Sequence, residues 1–78
     1  MTSRPIMRLG KSPQELGIST GGGNCPDVWV LDDGDVMLIG TDVTADLRNE
    51  LPDRASVGDH EAIIYVPRKT FLSAASAI

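Results

Sequence analysis

Two apolar runs, Asp27-Val28-Trp29-Val30-Leu31 and Asp35-Val36-Met37-Leu38-Ile39, are separated only by Asp32-Asp33-Gly34. This pattern reads as a β-hairpin. Asp-Gly supplies the positive φ angles of a type I′ turn, so Asp33-Gly34 is the expected two-residue loop. That register opposes Leu31 to Val36, Val30 to Met37, Trp29 to Leu38 and Val28 to Ile39. Strand alternation then places Trp29, Leu31, Val36 and Leu38 on one face and Val28, Val30, Met37 and Ile39 on the other. Both faces are apolar, whereas an antiparallel sheet with one wet side alternates polar with apolar residues. The helices of a 78-residue chain can cover one such face only. The other face is expected to be buried in a homodimer or against another protein, unless the N-terminal segment folds back over it.

The rest of the chain completes a small α+β domain. Thr41 to Leu51 reads as a short helix, with Val43, Leu47 and Leu51 as its buried stripe and Pro52 as its stop. Residues 52–60 read as a loop. Ala62-Ile63-Ile64-Tyr65-Val66 reads as a third strand. Arg68 to Ile78 reads as a terminal helix with Pro67 at its first position and Phe71, Ala74, Ala75 and Ile78 inward. The expected order is ββαβα, an antiparallel sheet of about three strands carrying one or two short helices. Residues 1–24, with Pro5, Pro13, Gly10, Gly17 and Gly21-Gly22-Gly23, show no sustained period and are expected to be a flexible tail. Within it, Ser12-Pro13-Gln14-Glu15-Leu16 can form one helical turn with a Ser12–Glu15 capping box, ended by Gly17. Residues 25–78 are the expected folded domain.

Charge and cysteine content narrow the function. Residues 1–24 carry a net charge of +2 and residues 25–78 one of −6, giving −4 for the chain. An acidic body repels nucleic acid, whose binding depends on neutralising phosphates, so direct DNA binding is disfavoured and a basic protein partner suits it better. Cys25 is the single cysteine, which excludes an internal disulfide and a multi-cysteine metal site. No apolar run approaches the roughly 20 residues of a membrane span. The N-terminus has no apolar core behind its basic residues, and the expected location is the cytoplasm.

Each candidate for chemistry has a plainer explanation. Gly10-Lys11-Ser12 matches the end of a phosphate-binding loop, but Pro5 stands where the first glycine is required. Cys25 and His60 are the only thiol and imidazole, and a pair of them would be a catalytic device. The commoner arrangement is a structural thiol and a solvated histidine. Asp27, Asp32, Asp33 and Asp35 crowd the hairpin without the spacing of a calcium loop. No catalytic residue, metal or cofactor is expected. Asp42, Asp46 and Glu50 recur at four-residue steps and form either a solvated face or an acidic docking stripe for a basic partner.

Gly22-Gly23-Asn24-Cys25 followed by Val28, then Asp33-Gly34-Asp35-Val36, and finally Ile64-Tyr65-Val66-Pro67-Arg68-Lys69-Thr70-Phe71, give the chain a family likeness. Across roughly residues 21–78 it resembles the small actinobacterial BldB-like proteins, domain of unknown function family 397, or a sister group of small regulator-associated proteins. Gly40-Thr41-Asp42 stands where that family has an Arg-Asp-Ser segment, and the family's terminal tryptophan is missing. The resemblance implies a non-enzymatic, dimer-forming accessory of helix-turn-helix transcription regulators. The alternative is a scaffold or carrier subunit of a biosynthetic or redox complex that uses Cys25. On the first reading the partner-binding residues are Asp42, Asp46 and Glu50 together with Val28, Val30, Met37 and Ile39.

Overall fold

A computed structural model describes residues 3–18 and 26–78. It is an α+β arrangement of two small antiparallel sheets and two short helices. The first sheet has strand order β1-β2-β3, with β1 at Pro5–Arg8, β2 at Asp27–Leu31 and β3 at Val36–Ile39. The second pairs β4, Thr41–Asp42, with β5, Ile64–Tyr65. Helix α1 is Thr44–Leu47, followed by a 3₁₀ turn over Arg48–Glu50, and α2 is Arg68–Ser76.

The hairpin forms, one residue out of the expected register. Val30 faces Val36, Trp29 faces Met37, Val28 faces Leu38 and Asp27 faces Ile39. Leu31 N–H donates to the Asp35 carbonyl at 2.8 Å and Gly34 N–H to the Leu31 carbonyl at 3.0 Å, so the loop is the three residues Asp32-Asp33-Gly34. Only Gly34, at φ 93°, takes the left-handed conformation. A type I turn followed by one left-handed glycine needs no positive φ at Asp33, which a type I′ turn demands. The slip exchanges the partners of every side chain on one strand. Val28 and Val30 therefore share a face with Val36 and Leu38, and Trp29 shares the other with Met37 and Ile39. This corrects both predicted faces.

Residues 3–18 are not a detached tail. β1 pairs antiparallel with β2, Met7 opposite Val30 and Arg8 opposite Trp29, with a bulge between Pro5 and Met7. Leu9 continues the pairing through its N–H to the Val28 carbonyl at 2.8 Å. Leu9 and Val28 join Ala74 of α2 in the buried core, with Val30 packed beside them. The expected capping box is present: Glu15 N–H donates to Ser12 Oγ at 3.2 Å, and Ser12 N–H to Glu15 Oε1 at 2.9 Å. Ile18 N–H to the Pro13 carbonyl and Gly17 N–H to the Gln14 carbonyl close the turn as a Schellman motif. Pro13 is fully buried. Residues 19–24 of the expected tail lie outside the described residues.

Helix α2 lies on the first sheet in an unexpected rotation. Its buried residues are Thr70 and Ala74, whereas Phe71 is 62% and Ile78 89% exposed. Gly10, at φ 75°, brings its backbone so close to the helix that a Cβ there would sit 2.5 Å from the Ser73 carbonyl oxygen. So close an approach selects small side chains on the inner face. Pro67 is the N-cap, one position before the first helical residue expected for it.

The predicted helix over 41–51 is also shorter. Thr41 and Asp42 are drawn into β4, whose register sets Thr41 opposite Tyr65 and Asp42 opposite Ile64. The third predicted strand, 62–66, contributes only Ile64–Tyr65 and pairs here rather than with the hairpin.

Candidate functional site

A cluster of Arg8, Asp27 and Trp29 joins β1 to β2. Arg8 Nε donates to Asp27 Oδ1 at 2.9 Å and its terminal nitrogen to Oδ2 at 2.9 Å, a two-pronged ion pair. Asp27 is 3% exposed. The Arg8 guanidinium carbon lies 4.8 Å from the centre of the Trp29 ring, within cation–π range. Burial pushes the Asp27 carboxyl upward, but the Arg8 hydrogen bonds, the Trp29 indole, the Arg8 charge and the Val28 N–H outweigh it and hold the group below its ordinary value. The hydrogen bond to Asp27 holds the Arg8 guanidinium above its ordinary value despite partial desolvation. A carboxylate and a guanidinium locked in their charged forms exchange no proton near neutrality. The trio clamps two strands. The sequence reading missed it because the two residues are 19 positions apart, although two ionic residues at the ends of apolar strands are the signal to look for.

The acidic candidates are divided by the fold. Asp42 Oδ1 accepts the Thr44 N–H at 2.9 Å and the Thr44 hydroxyl at 2.6 Å. These bonds hold its carboxyl below the ordinary value. Thr44 Oγ1 in turn accepts the Ile63 N–H at 2.8 Å. Asp42 therefore organises the β4–α1 junction. Asp46 and Glu50 are exposed, but α1 ends at Leu47 and Glu50 lies in the 3₁₀ turn. The three do not share one continuous α-helix, which corrects the expected helical stripe. Two of the hairpin aspartates are engaged by turn and N-terminal groups: Asp33 accepts from Asp35 N–H at 2.9 Å and from the Ser3 hydroxyl, and Asp32 accepts from Arg4 N–H at 3.2 Å.

The apolar candidates are divided too. Val28 is buried, Val30 and Met37 are half-buried, and Ile39 is 41% exposed. Other large apolar side chains are exposed as well, on β1 (Ile6, Met7), β3 (Val36, Leu38), β5 (Tyr65) and α2 (Phe71, Leu72). An open groove of about 460 Å³ runs between residues 11–16 and α2, with Leu16 and Leu72 as apolar walls and Lys11 at its rim. Lys11 N–H donates to Ser73 Oγ at 2.8 Å and Ser12 N–H is taken by Glu15, so Gly10-Lys11-Ser12 offers no phosphate cradle.

His60 is exposed in a loop, and Cys25 lies outside the described residues. Among the described residues no group of three or more histidine, cysteine, aspartate or glutamate side chains is placed to hold a metal ion. No described helix is long and apolar enough to cross a membrane. Comparison of the chain with protein-family models, curated proteins and solved structures finds no match.

Proposed function

We propose that this chain is a non-enzymatic protein-interaction module that works in the cytoplasm as a homodimer. The observation that carries the reading is the distribution of apolar surface. Among the described residues the core holds only Leu9, Val28 and Ala74, while large apolar side chains stand exposed on β1, β3 and α2. A core this thin is marginal for a domain of this size, and covering exposed apolar surface by association adds what folding alone does not supply.

The partner reading follows from charge. Asp46 and Glu50 are exposed in the acidic part of the chain, with the 41%-exposed Leu47 beside them. Such a surface suits a basic protein, and the family resemblance suggests a helix-turn-helix regulator. Sedimentation equilibrium tests the self-association. Twice the chain mass at micromolar concentration is the expected result, and a clean monomer throughout the range rejects it.

A further inference from the structure

The two edges of the first sheet are built differently. The outer edge of β1 carries Pro5, Arg8 and a bulge, three devices that discourage another strand from adding. β3 has none of them: Val36-Met37-Leu38-Ile39 contains no charge and no proline, and its pairing with β2 is regular. The bond from Leu31 N–H to the Asp35 carbonyl fixes which residues face β2. Alternation then makes Trp29–Met37 and Asp27–Ile39 the hydrogen-bonded pairs, so Val36 and Leu38 direct their N–H and C=O groups outward. Among the described residues no hydrogen bond outside the strand pairing engages Val36, Met37, Leu38 or Ile39. Val36 is 51% and Leu38 43% exposed.

We propose that a second copy of this chain pairs antiparallel along β3, centred on Met37, to make one continuous sheet of six strands. The inference rests on the self-association reading and names its surface. Two identical antiparallel strands related by a two-fold axis must centre on a residue, because only residues of like orientation can oppose one another. Centring on Met37 sets Val36 against the partner's Leu38 and Leu38 against the partner's Val36. Both outward residues of each strand are then satisfied within β3 itself. Centring on Val36 or Leu38 pairs one of them outside the strand, with Gly34 or Gly40. The occupant is a second copy because this edge is its own complement in length, pattern and apolar side chains. Pairing also continues the Val36/Leu38 face across the axis, covering exposed apolar area without placing any acidic residue inside it. An edge of this length lies at the small end of stable interfaces, roughly 1,000 Å² in total, so the dimer is expected to loosen on dilution.

Cysteine cross-linking of the full chain in a Cys25→Ser background tests the register. Met37→Cys places two thiols opposite one another on the axis, and mild oxidation is expected to give a covalent dimer. Ile39→Cys leaves its two copies offset by four residues, roughly 13 Å, beyond the roughly 7 Å Cα reach of a disulfide, and is expected to stay uncrosslinked. Leu38→Lys is expected to sediment as a monomer with an unchanged circular dichroism spectrum. Equal or faster cross-linking at residue 39 overturns the proposed register. A dimeric wild type whose Met37→Cys form does not cross-link and whose Leu38→Lys form stays dimeric overturns the edge, leaving self-association standing. A monomeric wild type overturns both.

Discussion

The two sheets of this molecule differ in what they bury. The first, with residues 9–13 and α2 upon it, contains every buried residue of the described chain: Leu9, Ser12, Pro13, Asp27, Val28, Thr70 and Ala74. The segment from Gly40 to Val66, which holds the second sheet and α1, contains none. Its apolar residues Val43, Leu51, Val57, Ile63 and Val66 are no more than half-buried, and hydrogen bonds join its parts: β4 with β5, Val43 N–H to the Ile63 carbonyl, and the Asp42–Thr44–Ile63 relay. Apolar burial is the main favourable term in folding, and net hydrogen-bond contributions are smaller. The first sheet is therefore expected to carry most of the stability, which leaves the exposed surface beside the second for the docking proposed above.

The sharpest way to break this comparison is a matched pair of truncations. Leu9→Ala deletes a side chain that is 4% exposed at the centre of the core, and a loss of about 2–3 kcal/mol is expected. Leu47→Ala removes the same atoms from an exposed site on α1, and a change within about 0.5 kcal/mol is expected. Urea unfolding followed by tryptophan fluorescence reads both through Trp29. Equal losses would show that the second sheet holds as much of the fold as the first.

A smaller effect comes from the clamp on the first sheet. The folded Asp27 carboxyl lies below the ordinary aspartate value of 3.8. A depressed carboxylate contributes stability that is fully present above the ordinary value and is lost as pH falls through the folded one. The wild type is therefore expected to outlast Asp27→Asn in thermal unfolding at pH 7. The gap should close as pH drops below the ordinary carboxylate range. A gap that stays constant down to acid pH would mean that Asp27 acts by shape and not by charge.

The legible parts of the fold were those set by local chemistry. The hairpin, the Ser12–Glu15 capping box, the glycine that ends it and a terminal helix opening near Pro67 all follow from neighbouring residues, and all are present. What escaped depends on contacts distant in sequence. β1 has no alternation to betray it, and its pairing with β2 spans a glycine-rich connection. The rotation of α2 sets Ser73 against Gly10, more than sixty positions away, with Thr70 and Ala74 buried and Phe71 exposed, and nothing local to the helix announces that contact. The register error was local, yet its effect was wide: moving one residue into the loop mixed the predicted faces, so Val28 and Val30 were separated from Met37 and Ile39. Of the acidic candidates, Asp46 and Glu50 were legible as exposed groups, whereas the break at Leu47 and the place of Asp42 in β4, bonded to Thr44, were not.

The last test asks whether α1 and the 3₁₀ turn, in the segment of the second sheet, carry the proposed docking surface, and its expected effect on stability is the smallest. Asp46→Lys and Glu50→Lys together reverse two exposed charges and leave Asp42, which holds Thr44, in place. Neither residue makes an ion pair among the described residues, so the unfolding curve and the sedimentation behaviour should match those of the wild type. Association with a helix-turn-helix regulator recovered with the tagged protein from its own host should change instead. Exposed charges act across a screening length of about 8–10 Å at ordinary ionic strength and chiefly govern encounter. The double variant is expected to lower the on-rate severalfold, with a much smaller change in the off-rate, and added salt should reduce the wild-type on-rate toward that of the variant. The isolated chain should show no affinity for duplex DNA at physiological salt, because a net charge of −4 has the wrong sign for phosphate. An on-rate indifferent both to salt and to the reversal would remove Asp46 and Glu50 from the docking surface. The contrast between a buried first sheet and an unburied second would then lack a functional meaning.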